Sequence, residues 1–172
     1  MATLRKGKCY TWPTTRAYTR TSKFKNKAFI KGIPNSKLSR FNMGDSKKDF
    51  NKTIDLIADA KFYIRHNALE SCRIVVNKQL NDKLGAKSYH FIIRSYPHHI
   101  MRENKILSGA GSDRLQTGMK HSFGKAIGRS AGVKKGTKIF SVETDENNVN
   151  FVTEVLKSVN SRLPGKTLVV VN

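Results

Sequence analysis

Few residues in this chain have the types and spacing that chemistry requires. Of the 5 histidines, His98 and His99 are adjacent. Neighbours on a strand face opposite ways, so this pair cannot ligate a metal from one side. His66, His90 and His121 are scattered, and neither an HExxH pattern nor paired cysteines occur. No metal site is expected. Gly109-Ala110-Gly111-Ser112-Asp113-Arg114 begins like a dinucleotide fingerprint, but Arg114 stands where the third glycine belongs. Gly165-Lys166-Thr167 resembles the end of a phosphate loop, yet Asn160 occupies the first glycine position and a helical pattern precedes it. No cofactor is expected. The Asp and Glu residues number 12, and most fall in turns or on helix faces. Glu103 and Asp113 sit among cations, where pairing with Arg102, Lys105 or Arg114 is their expected role. Asp113 can also order its loop by bonding its own backbone. No nucleophile–base set emerges, so no catalytic residue and no enzyme are expected.

What remains is a basic, glycine-rich stretch from Arg102 to Lys138. Of 12 glycines, 7 fall between Gly109 and Gly136, interleaved with Lys and Arg. Glycine lacks a Cβ and tolerates positive φ, so bare backbone can approach a polyanion closely, and its N–H groups can meet phosphates. Arg114 and Gln116 are the side chains there best able to make directed bonds to RNA, one through a planar fork and one through a donor and an acceptor.

The whole chain supports that reading. It has 172 residues, 33 Lys and Arg, 12 Asp and Glu, and a net charge of +21. Such charge repels itself in a compact fold and calls for an anionic partner. It is also segregated. Residues 1–50 carry 13 basic and 2 acidic side chains, 51–100 carry 8 and 4, 101–140 carry 9 and 2, and 141–172 carry 3 and 4. Cys9 and Cys72 form no CxxC, which fits a reduced cytosolic setting. No apolar run approaches a membrane span, and the N-terminus lacks the apolar core of a secretory signal.

The elements that must position these cations follow from pattern. Residues 1–48 read as a basic extension in which single aromatics such as Tyr10, Trp12, Tyr18, Phe24 and Phe29 alternate with cations. Rings and cations together suit stacking on unpaired RNA bases. Residues 49–172 read as an α+β domain, with a basic loop region over about 102–136. A strand is expected at Lys52–Ala58. A helix follows from His66 or Asn67 to Leu84, with Ala68, Leu69, Cys72, Val75, Val76, Leu80 and Leu84 on one stripe. Asn67 and Glu70 are spaced like a capping box, and Gly85 is a stop. Cys72, on the stripe, reads as a core thiol. Ala86–Arg94 reads as a strand broken by Ser95-Tyr96-Pro97 and resuming at His98–Met101. Lys138–Thr144 is another strand, Val149–Leu163 a second helix and Thr167–Val171 a closing strand. This order predicts a sandwich of two helices on a mixed sheet. The cations of the two basic segments are the candidate RNA contacts: Arg5, Lys6, Lys8, Arg16, Arg20, Lys23, Lys25, Lys27, Lys31, Lys37, Arg40, Lys120, Lys125 and Arg129.

The run Ser108-Gly109-Ala110-Gly111-Ser112-Asp113-Arg114-Leu115-Gln116-Thr117-Gly118-Met119, with Phe123-Gly124-Lys125, closely resembles the signature of the universal large-subunit ribosomal protein sixteen family, in its archaeal/eukaryotic ten-e form. Cys9-Tyr10, Lys31-Gly32-Ile33-Pro34, Ala68-Leu69-Glu70-Ser71-Cys72-Arg73 and His99-Ile100-Met101-Arg102-Glu103-Asn104-Lys105 match as well. The likeness spans about residues 5–145. It implies an α/β-hammerhead fold, a structural place in the large subunit of the cytoplasmic ribosome, and binding to large-subunit rRNA. It also implies that a glycine-rich loop reaches the acceptor ends of A- and P-site tRNA and helps position aminoacyl-tRNA. The residues there are Arg102, Lys105, Ser108, Gly109, Gly111, Asp113, Arg114 and Gln116. Neighbouring ribosomal proteins are implied partners, with no membrane and no homo-oligomer. The short C-terminal end resembles the archaeal form. Two competing readings are an accessory of RNA-processing or RNA-modifying enzymes and a cationic membrane-surface protein. The first lacks an acid/base site and the second lacks a helix with a basic polar face.

Overall fold

The computed structural model describes residues 32–103 and 124–172, together with Thr19, Phe24, Asn26 and Ile30. Its strands are β1 (Asn42–Gly44), β2 (Lys52–Ala58), β3 (Phe62–Arg65), β4 (Tyr89–Ile93), β5 (His99–Glu103), β6 (Lys125–Val133), β7 (Lys138–Thr144) and β8 (Thr167–Val171). The helices are α1 (His66–Leu84) and α2 (Val149–Ser158). The strands form a five-stranded sheet in the order β1-β4-β7-β2-β8 and a three-stranded sheet in the order β3-β6-β5. Every pairing between described strands is antiparallel. The expected α+β class with two helices holds, but the single mixed sheet is replaced by two antiparallel ones. The alternation that suits antiparallel pairing is clear in β4, where Tyr89, Phe91 and Ile93 are buried at every second residue.

In the larger sheet, Ile54 and Leu56 stand opposite Val142 and Phe140, which stand opposite Phe91 and Ile93. All six are buried. Leu69, Cys72, Val76 and Leu80 of α1, spaced at three and four residues, complete the core with Val152, Val155 and Leu156 of α2. The Phe91 and Phe140 rings meet edge to face, their centroids 5.6 Å apart. Each such fully buried side chain contributes about 1.5–3 kcal/mol relative to exposure.

Four local expectations change. Lys125–Val133, read as loop, is the central strand of the smaller sheet. Asn67 is not a cap: β3 runs directly into α1, so Arg65 holds the N-cap position with extended backbone and no side-chain capping bond. Glu70 instead pairs with Arg73 at 2.6 Å. The second helix stops at Ser158 and tightens into a 3-10 turn, Val159–Arg162, ahead of Pro164. Finally, the later part of the stretch read as an extension is bound to the body. Leu38 is buried in the core, Phe41 packs against it, and β1 pairs with β4. Gly85 ends α1 as expected, with φ of 79° and its N–H bonded to the Asn81 carbonyl.

Candidate nucleic-acid interface

Of the described candidate cations, Lys37, Arg102, Lys125 and Arg129 lie on the smaller sheet or at the start of α1, and Arg40 lies just ahead of β1. At the first residue of α1, His66 Nδ1 accepts the backbone N–H of Lys37 at 3.3 Å. Burial pushes the His66 pKa down, and the charges of Lys37, Arg65 and Arg129 push it the same way. A neutral imidazole is thus favoured, which is the form able to accept that N–H. Arg129 on β6 donates from Nε to the Pro34 carbonyl at 2.7 Å and from Nη1 to the Tyr96 hydroxyl at 3.4 Å. Two contacts therefore fix Pro34 to Lys37, the segment through which the basic N-terminal residues join the body. Lys37 and Arg40 are exposed there. Arg129 has an internal duty that the sequence reading did not assign to it.

A second pair of cations lies at the far end of the same sheet. Arg102 pairs across from Ala126, and Glu103 from Lys125, beyond an irregularity between Met101 and Arg102. These are the last described residues before Asn104 and the first after Phe123. Arg102 also bears on His99, whose pKa is pushed down to about 4, first by burial and then by the charges of His98 and Arg102. The His99 ring stacks on Tyr63, with centroids 4.4 Å apart. His98 is exposed, and its Nδ1 lies 3.0 Å from the Tyr96 carbonyl oxygen. The two histidines thus have different surroundings, with His98 lying just ahead of β5 and His99 opening it.

Burial alternates through this junction. Arg94, Tyr96 and His98 are exposed, while Ser95 and Pro97 are buried. The sequence reading treated Ser95-Tyr96-Pro97 only as a break and so missed an outward-facing ring between two basic side chains. Among the candidates, Arg5, Lys6, Lys8, Arg16, Arg20, Lys23, Lys25, Lys27, Lys31 and Lys120 lie outside the described residues. So do Lys105, Ser108, Gly109, Gly111, Asp113, Arg114 and Gln116.

Two described groups of types that can do chemistry are engaged within the body. Asp55 is a fully buried carboxylate, and it accepts from Ser141 Oγ at 2.6 Å and Asn172 Nδ2 at 2.8 Å, with Lys138 Nζ 2.5 Å away. A carboxylate so fully bonded is a structural acceptor. Cys72 is buried in the core, and burial pushes its thiol up to about 12 against the opposing charge of Arg162. It is unreactive as a nucleophile. No group of three metal-binding side chains occurs among the described residues. No helix among them is long and apolar enough to cross a membrane.

Residues 13–170 match the profile of the family described as Ribosomal protein L16p/L10e. The chain belongs to that family. It is similar to the large ribosomal subunit protein uL16 of Methanococcus aeolicus, 43% identical over 168 residues, covering 98% of this chain and 94% of that protein. It is likewise similar to uL16 of Metallosphaera sedula, 39% identical over 170 residues, with 98% and 94% covered. The uL16 of Staphylothermus marinus is 40% identical over 161 residues, with 94% and 89% covered. Motifs of the L16p/L10e resemblance map onto the elements just described. Ala68–Arg73 forms early turns of α1, His99–Glu103 is β5, and Lys125 opens β6. Gly32–Pro34 leads into the segment held by Arg129 and His66.

Proposed function

We propose that this chain is a structural, non-enzymatic constituent of the large subunit of the cytoplasmic ribosome, where it binds large-subunit rRNA. The observation that carries this reading is the near full-length likeness to proteins named large ribosomal subunit protein uL16. The charge supports it: +21 overall, with the excess lying outside residues 141–172. Phosphate contacts from such cations supply affinity and register, with little sequence information. Arg102 and Lys125 flank the glycine-rich segment at its base. From there, Lys105, Ser108, Gly109, Gly111, Asp113, Arg114 and Gln116 would approach A- and P-site tRNA and help position aminoacyl-tRNA.

The test is sedimentation together with salt-dependent binding. The chain should travel with large subunits through a density gradient, and its affinity for large-subunit rRNA should fall steeply with salt. The slope should be roughly 0.7–0.9 in log affinity per log salt for each phosphate neutralised. A chain that stays at the top of the gradient, or binds RNA equally at low and high salt, removes the reading. Deleting Arg114–Gly118 should slow accommodation of aminoacyl-tRNA while leaving the melting temperature of the free protein nearly unchanged. A deletion that lowers the melting temperature yet translates normally would contradict the tRNA role.

A further inference from the structure

Tyr96 is a large aromatic held in a fixed pose at the surface. Its side chain is 54% exposed. One face rests on Phe41, with centroids 5.6 Å apart and an angle of 30° between the rings. Phe41 in turn packs against the core, and its carbonyl accepts the Ile93 N–H at 2.8 Å. The Tyr96 hydroxyl accepts from Arg129 at 3.4 Å, and its carbonyl lies 3.0 Å from His98 Nδ1. Buried Ser95 and Pro97 clamp the backbone on either side. The ring is therefore ordered before any partner arrives, so little conformational entropy remains to be lost on binding.

We infer that Tyr96 is a stacking platform for one unpaired nucleobase of the large-subunit rRNA, a proposal that rests on the rRNA-binding reading above. The two-ring pile leaves the outer face of Tyr96 for a flat partner. Arg129 reaches its rim, and exposed Arg40 is the chain neighbour of the supporting Phe41. A π-face with a guanidinium at its rim matches a base and an adjoining phosphate. An apolar protein side chain would gain nothing from that charge. Aromatic side chains take unpaired bases in this way without needing base-specific hydrogen bonds.

Binding to protein-free large-subunit rRNA, titrated at several salt concentrations, tests the assignment. Tyr96→Ala should weaken affinity roughly 5- to 150-fold, with the salt slope of the wild type. Tyr96→Phe, which keeps the ring, should restore most of that loss. Tyr96→Leu, which fills similar space without a π-face, should not. Arg40→Ala should act differently, lowering the slope by roughly 0.7–0.9. Circular dichroism melts establish that each variant is folded, and Tyr96→Leu against Tyr96→Phe carries the comparison if the alanine variant is not. The platform is refuted if Tyr96→Leu binds as tightly as Tyr96→Phe, the result expected of an apolar protein contact. It is also refuted if Tyr96→Ala matches the wild type while Arg40→Ala weakens binding. That last pattern leaves rRNA binding intact, whereas salt-insensitive binding by the wild type overturns both readings.

Discussion

His66 and His99 show how single side chains are set to stay uncharged in a strongly cationic protein. Each pKa is lowered, first by burial and then by neighbouring positive charges. The unfolded chain therefore takes up these protons before the folded one does. Stability must fall as pH drops through the ordinary histidine range near 6.5, and for His99 it continues to fall until about 4. Replacing His99 with Phe keeps a ring against Tyr63 but removes the titration. Urea unfolding of the free protein at pH 7, 6 and 5 should show the wild type losing stability on acidification, and His99→Phe losing less. Equal losses would place the pH sensitivity elsewhere. Both histidines were visible in the sequence, but their neighbours were not. The contact between His66 and Lys37 joins residues 29 positions apart, and no local pattern encodes it.

Among the elements, those with long periodic patterns were legible. The helix at His66–Leu84 and the strands at Lys52–Ala58, Lys138–Thr144 and Thr167–Val171 coincide with the apolar spacing. The missed strands lack that signal. β1 and β3 have only 3 and 4 residues. β6 reads Lys-Ala-Ile-Gly-Arg-Ser-Ala-Gly-Val, where glycines dilute the alternation and only pairing with β3 and β5 defines it. Gly44 ends β1 where it pairs with His90 of β4. Its φ is 85°, and a Cβ there would overlap the Tyr89 carbonyl. Gly136 has a similar φ of 83° with nothing within 4 Å of that position. Gly136→Ala should therefore cost about 1–2 kcal/mol for left-handed backbone alone. Gly44→Ala adds a backbone collision and should cost roughly 1–3 kcal/mol more. Denaturant midpoints of the two variants measure the difference, and equal values would mean that β1 shifts freely.

At the scale of the molecule, charge is spread unevenly along the sequence, while the core draws on residues from Leu38 to Leu163. The basic excess lies in residues 1–140, whereas 141–172 is slightly acidic. The same ions should therefore act on the free protein and on its complex with opposite signs. Added salt screens self-repulsion, so the melting temperature of the free chain should rise between low and moderate ionic strength while rRNA affinity falls. A melting temperature that falls over this range would mean that attractive ion pairs outweigh the repulsion. Composition made the class of partner legible, but it could not show that Arg129 is engaged with Pro34 or that Tyr96 faces outward. Those facts depend on how β6 and the junction between β4 and β5 fold together. The sulfur of Cys72, closed off midway along α1, adds a built-in chronometer. A thiol reagent reaches it only when the helix lifts from the sheet, so in a Cys9→Ser background the pace of its modification times the opening of the core.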